Sequence, residues 1–228
     1  MTNWIILNIA LLVVAYLLGS IPTGYLAGKL LLGIDIREVG SGSTGATNVL
    51  RNLGKVPAVT VLLIDVLKGV GAIALIRYIY SLKIMADLGA YVGIEDIRVQ
   101  LPWIVTLAGF AAVLGHSKSI FLGFTGGKSV ATSLGVLLAL SWQVGLGTFG
   151  IFGLVLGISR IVSLSSIIGA IAVSGLMFVF AQPLAYQLFA IVGGIFVIVR
   201  HRGNIERLLK GTEPRIGEKL ETANNESN

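Results

Sequence analysis

The sequence predicts an all-α polytopic membrane protein, and three observations carry that prediction. Of its 228 residues, 55% are hydrophobic and only 12% charged, and the mean hydropathy is +0.90, whereas a soluble domain carries roughly 25% charged residues. Apolar runs near the about 20 residues that a helical span needs recur along the whole chain and leave no stretch for a second domain. The formal net charge of +6 is gathered between those runs, where it reports topology and attraction to anionic head groups rather than nucleic-acid binding. One membrane-embedded domain over residues 1–213 is expected, followed by a polar, disordered tail over 214–228.

The first span covers residues 3–32 and is broken near Pro22 and Gly24, because proline cannot continue the helical hydrogen-bond ladder. It lacks a positive n-region and a small-residue cleavage site, so it reads as an uncleaved span. Further spans are expected at 56–80, 101–114, 130–158, 161–180 and 184–199. The 130–158 run is too long for one ordinary span, and Ser141-Trp142-Gln143 at its centre suits a tight turn between two short helices. Each half would then measure roughly 21 Å against a hydrocarbon core of roughly 30 Å, which implies local thinning or incomplete spanning. Counted this way there are seven transmembrane helices, with the N-terminus outside and the C-terminus cytoplasmic. Arg37, Arg51, Lys55, Lys118, Lys128 and Arg160 then share one side with the basic segment that begins at Arg200, as the positive-inside rule requires. Six spans would place that basic segment outside.

Several chemistries are excluded early. Cysteine is absent, and His116 and His201 are the only histidines, so neither a thiolate nucleophile nor a metal-ligand spacing exists. The stretch 123–129, GFTGGKS, resembles a nucleotide-binding loop, but the Walker pattern needs a glycine five residues before Gly127, and Leu122 stands there. Gly40, Gly42 and Gly45 satisfy G-x-G-x-x-G after a membrane helix rather than a strand, so no dinucleotide fold follows. Phe121 stands fifth after His116, which removes the H-x-x-x-x-D dyad of many glycerolipid acyltransferases.

Three polar islands remain, and the seven-span topology puts all of them on one face. The first, residues 39–51, is a glycine- and hydroxyl-rich loop leading into a helical segment with Asn48 and Arg51. Its helix N-terminus has unpaired N–H groups that can receive an anion. The second, 115–133, carries His116, Lys118, Lys128 and several hydroxyls around an apolar 120–124 stretch. In the third, 200–215, His201 and Asn204 lie three apart on one helix face. Asp65 and Lys68, at i, i+3 inside the second span, form a candidate supporting pair, since ionisable groups at that depth need partners. A face that gathers cations and N–H and O–H donors but no activated nucleophile is built to hold phosphates, and its substrate should arrive already activated.

Five stretches, GSIPTGYLAGK (19–29), GSGSTGATNVLR (40–51), DVLKG (65–69), GH-x4-FLGFTGGK-x-VAT (115–132) and RHRGNIERLLKGTE (200–213), together resemble the bacterial acyl-phosphate:glycerol-3-phosphate acyltransferases, the PlsY family. That resemblance covers nearly the whole chain. It implies a seven-helix enzyme of the bacterial inner membrane with a cytoplasmic active site and no cofactor or metal. Its reaction would move an acyl chain from acyl phosphate to the 1-hydroxyl of sn-glycerol 3-phosphate. The products would be lysophosphatidic acid and phosphate, the first committed step of phospholipid synthesis. Membrane lipid would surround it, and nucleic acid would be no partner.

Carried over by motif, Ser41, Arg51, His201 and Asn204 match the family's functional positions. Gly123, Gly126 and Gly127 match its acyl-phosphate loop, Lys128 a phosphate contact, and Ser166 a substrate-binding serine. Glu206 and Glu213 both fit the family's structural glutamate. The proton of the glycerol hydroxyl could pass to His201 or to a substrate phosphate oxygen. Two departures stand out: Ser119 replaces a common proline, and GGKS replaces GGKG, so Ser129 either stiffens the loop or adds a donor. The rival reading is a transporter of phosphate or a small organic anion, suggested by Asp65, Lys68 and the broken helices. Polar islands on one face and the lack of an internal repeat speak against it.

Overall fold

The computed structural model describes residues 1–217. Among them the regular structure is helical, apart from one isolated antiparallel bridge between Ser119 and Thr125. Eleven helices follow in order: α1 Thr2–Ser20, α2 Thr23–Leu32, α3 Ala46–Leu53, α4 Lys55–Ser81, α5 Lys83–Tyr91, α6 Leu101–Ser117, α7 Val130–Leu140, α8 Trp142–Ser159, α9 Val162–Val179, α10 Leu184–Arg200 and α11 Arg202–Leu209. The long run 130–158 does split, with Ser141 in extended conformation between α7 and α8. The first span breaks at Ile21-Pro22, as the proline requires. At Gly54, φ is +93°, a conformation glycine adopts freely, and it lets α4 start with only this residue between it and the end of α3.

Four segments are long and apolar enough to cross a membrane: Thr2–Leu32, Lys55–Ser81, Trp142–Ser159 and Val162–Val179. The pair α10 and α11 adds a fifth when counted together, although it bends by 61° at His201. The apolar helices α6 and α7 are shorter. Large apolar residues on the outer faces, such as Leu30, Val56, Leu67 and Leu154, stay exposed. An outside that is apolar is what a bilayer-embedded protein needs, because lipid takes the place of water there.

The core sits where α1, α4, α6, α7 and α10 meet, around Ile73, Ile76, Val105, Ala108, Val136 and Phe189. Close approach depends on small residues facing backbone. A Cβ on Gly19 would lie 2.1 Å from the Ala112 carbonyl oxygen and one on Gly115 2.2 Å from that of Tyr16, so α1 and α6 touch at reciprocal glycines. Gly69 and Gly135 do the same for α4 and α7, at 2.3 Å from the Thr132 oxygen and 2.0 Å from the Val66 oxygen. Gly135→Ala must push α7 away from α4 and is expected to cost about 1–3 kcal/mol, read as a fall in the unfolding temperature of the detergent-purified protein.

The expected tail begins inside the fold. The Ile216 N–H donates to the Arg160 carbonyl at 2.8 Å, and Pro214 lines the central cavity. Residues 218–228 of that tail lie outside the described residues. The segment between α4 and α6 holds α5, whose exposed Lys83 and Asp87 pair at 2.7 Å one turn apart.

Candidate active site

A cavity of about 480 Å³ opens among α3, α4 and α7 to α10, within the usual size of a small-molecule site. One end is polar, lined by Ser41, Ser43, Arg51, Lys128, His201, Asn204 and Glu213. The rest is apolar, with Leu134 and Leu137 of α7, Phe149 and Phe152 of α8, Val173 of α9 and Val197 of α10 on its walls. All three polar islands contribute to that one end.

Asn48 of α3, almost fully buried, organises the first island. Its Nδ2 lies 2.9 to 3.0 Å from the carbonyls of Ile36, Val39 and Ser43, while its Oδ1 accepts the Ser41 N–H at 2.9 Å. The loop therefore wraps the asparagine, and one turn later Arg51 reaches the cavity, its guanidinium without a hydrogen-bond partner among the described residues. Sequence reasoning singled out Ser41 and Arg51; the residue that places both was visible only as a polar position on the same helix.

The second and third islands join through one hydrogen-bonded chain. Lys128 Nζ donates to Asn204 Oδ1. Asn204 Nδ2 donates to Glu213 Oε1 at 2.6 Å, Ser163 Oγ donates to the same oxygen at 2.7 Å, and Arg207 Nε donates to Glu213 Oε2 at 2.7 Å. Of the two candidate glutamates, Glu206 is exposed and Glu213 is buried at the centre of this network. Burial works to raise the Glu213 carboxyl, but the hydrogen bonds from Asn204, Ser163 and Arg207 and the Arg207 charge hold it below its ordinary range. Burial pushes the Lys128 ammonium down to about 8; Glu213 opposes the shift, and the positive charges of Arg207, Arg200 and Arg51 add to it. With one of its three N–H groups donated to Asn204 Oδ1, Lys128 keeps two donors for an anion.

His201 lies at the bend between α10 and α11, its Nδ1 2.8 Å from the Val197 carbonyl. In the neutral ring that contact takes the Nδ1 proton and leaves Nε2 as an acceptor at the cavity. Ser166 also lines the cavity, with its hydroxyl donated to the Val162 carbonyl at 2.8 Å. Ser163, missed by the sequence reading, stands three residues earlier on the same helix face, a spacing that could have found it. Lys68 and Asp65 pair at 2.8 Å, both buried. Asp65 also lines the cavity wall.

The glycine loop is arranged differently from a cradle on the cavity surface. Gly123 is exposed, with φ at +61°, and it lies away from the cavity lining, as do Gly126 and Gly127. Arg200 holds the loop from behind, Nη2 donating to the Gly127 carbonyl at 3.1 Å. Ser129 has φ at +63°, a strained setting for serine and an easy one for glycine. Its hydroxyl donates to the Val113 carbonyl at 2.8 Å, so it fastens the start of α7 to α6. Ser119 donates its hydroxyl to the Ser20 carbonyl at 2.6 Å and its N–H to the Thr125 carbonyl at 3.3 Å; proline could supply neither bond.

A cavity that joins the cations Arg51, Lys55 and Lys128, spare donors and the His201 imidazole to an apolar groove suits an amphiphile with an anionic head. The family model for glycerol-3-phosphate acyltransferase matches residues 9–211. The chain belongs to the glycerol-3-phosphate acyltransferase family. Relatives of that name include those of Trichormus variabilis, 66% identical over 98% of both chains, and of Nostoc sp., 65% identical over 98% of both. Among solved structures, PlsY (YgiH), an integral membrane glycerol 3-phosphate acyltransferase, is similar in its glycerol 3-phosphate form, with a TM-score of 0.78, 41% identity and coverage of 92% of this chain and 96% of that one. Its lysophosphatidic acid form gives a TM-score of 0.76 at 40% identity, covering 92% and 95%. With the family shown, the chain is an acyltransferase embedded in a membrane.

Proposed function

We propose that this enzyme transfers an acyl chain from acyl phosphate to the 1-hydroxyl of sn-glycerol 3-phosphate, releasing lysophosphatidic acid and inorganic phosphate. The observation that carries the reading is the single cavity whose polar end holds Arg51, Lys128, His201 and Asn204 and whose remaining wall is apolar. The family name and the glycerol 3-phosphate form of PlsY support the acceptor. Acyl phosphate as donor is supported by the chemistry of the site. A mixed anhydride already carries a good leaving group, and the cavity has cations to neutralise phosphate but no cysteine or serine–histidine pair to form an acyl-enzyme.

In this reaction the glycerol hydroxyl oxygen attacks the acyl carbonyl carbon, the carbon–oxygen bond to phosphate breaks, and phosphate departs with the electron pair. Arg51 and Lys128 hold the two phosphates, which would otherwise repel each other, so the catalytic contribution is positioning and charge neutralisation. Asn204 and Glu213 keep Lys128 in place, and Ser41 and Ser166 complete the polar wall. Either His201 Nε2 accepts the hydroxyl proton itself, or it orients the hydroxyl so that a substrate phosphate oxygen accepts it. The acyl tail lies along Leu134, Phe149, Phe152 and Val173. Seven membrane-spanning helices follow if α6 and α7 both cross, with the N-terminus outside and the site at the cytoplasmic face of the bacterial inner membrane, an arrangement supported by the basic residues gathered at the polar end.

Purified enzyme incubated with glycerol 3-phosphate and either acyl phosphate or acyl-CoA is expected to yield lysophosphatidic acid from the first donor. Product from acyl-CoA alone would overturn the donor assignment. His201→Ala is expected to lower kcat by about 10²-fold at neutral pH if the imidazole takes the proton. A change confined to KM would move that role to a substrate phosphate.

A further inference from the structure

His116 and Asp65 have no part in the phosphate chemistry just described, yet both are buried and both reach the cavity wall. Asp65 Oδ1 accepts from Thr23 Oγ1 at 2.6 Å and Lys68 Nζ at 2.8 Å, and it faces His116 Nδ1 at 3.5 Å. Lys68 also donates to the Ile21 carbonyl at 3.0 Å, beside the proline break of the first span. The carboxylate is thus fastened to α2 and to its own helix, and the imidazole is its partner on α6.

The other side of that imidazole meets the glycine pair. A Cβ on Gly127 would lie 2.2 Å from His116 Nε2, and one on Gly126 would lie 2.2 Å from the His116 carbonyl oxygen. The same carbonyl accepts the Gly127 N–H at 3.2 Å. Neither Gly126 nor Gly127 has a positive φ, so backbone freedom does not call for glycine at either place. Room for His116 does. Lys128 is the next residue along.

We propose that His116, oriented by Asp65, is a positioning residue for Lys128: its ring and carbonyl form the floor on which Gly126 and Gly127 rest, and the glycine pair exists to admit that floor. The proposal rests on Lys128 holding a phosphate in the reaction above, while its steric half stands without that reading.

The test compares Gly127→Ala, His116→Ala, His116→Asn and the Gly127→Ala/His116→Ala double variant, by unfolding temperature in detergent and by steady-state kinetics with acyl phosphate and glycerol 3-phosphate. Gly127→Ala alone should lose about 100-fold or more in kcat/KM and unfold at a lower temperature. Removing the imidazole gives the added methyl its space, so the double variant should exceed Gly127→Ala in both measures. A double variant no better than Gly127→Ala in either measure overturns the proposal.

His116→Ala should cost about 10- to 100-fold in kcat/KM, and His116→Asn, whose Nδ2–H replaces Nδ1–H toward Asp65, should restore most of it. Because the effect runs through Lys128, His116→Ala should cost nothing further in a Lys128→Ala background. An equal cost in both backgrounds would reduce His116 to a general packing role. If acyl phosphate is the wrong donor, the unfolding temperatures still decide whether the ring and the glycine compete for space.

Discussion

Replacing Lys128 by alanine will lower kcat/KM by about 10²- to 10³-fold, the range found when one preorganised donor to developing charge is removed. The protein will still fold, because Lys128 stands at the cavity's polar end rather than in the packed core. A more discriminating variant is Lys128→Arg. Burial leaves the free enzyme's Lys128 titrating at about 8 instead of its ordinary 10.5. Since kcat/KM reports groups of the free enzyme, it should fall as pH rises through about 8, where the ammonium loses its proton. Arginine keeps its charge throughout that range, so the variant should lack this alkaline limb even if it turns over more slowly.

Stability moves the opposite way. The unfolded chain holds the lysine proton up to about 10.5 and the folded chain only to about 8, so folding becomes more favourable as pH rises between those values. A protein that grows more stable and less active over the same interval would identify Lys128 as the group responsible. An alkaline limb of unchanged position in Lys128→Arg would assign the titration elsewhere.

Glu213→Ala should have the second large effect, and on both readouts. It removes the acceptor of Asn204, Ser163 and Arg207 together, leaving a buried amide and a buried hydroxyl unpaired, at about 1–3 kcal/mol for each unsatisfied group. Asn204 then loses its orientation and Lys128 its anchor. The expected result is an activity loss of about 10²-fold or more with a lower unfolding temperature. Glu206→Ala, at an exposed position on α11, should leave both close to wild type. If the two glutamate variants behave alike, Glu213 is not the group that holds the site together.

The fold was largely legible because lipid imposes simple demands. Apolar length located the spans, Pro22 marked the first break, and Ser141-Trp142-Gln143 marked the hairpin between α7 and α8. The gathering of the islands at one end was readable from the distribution of basic residues. What escaped were features set by partners distant in the chain. Glu206 and Glu213 look equivalent in sequence, and what distinguishes them is the return of Glu213 to Asn204, Arg207 and, 50 residues away, Ser163. His116 and Gly127 were read separately, as an island histidine and a loop glycine, because nothing in their spacing says that one occupies the other's side-chain volume. The short α5 was hidden by its charges, which pair with each other along its exposed face.

The position of Glu213 also gives the site a direction in time. Every other group of the polar end, from Ser41 to Asn204, precedes it along the chain, so during synthesis from the N-terminus it is the last member made. Until it arrives, the amide of Asn204 and the hydroxyl of Ser163 lack their shared acceptor, and Lys128 leans on an asparagine that is itself unanchored. A nascent chain with all its membrane helices inserted would therefore be unable to grip substrate firmly. Competence would come in one late step, when a short stretch beyond the last helix folds back and closes the network.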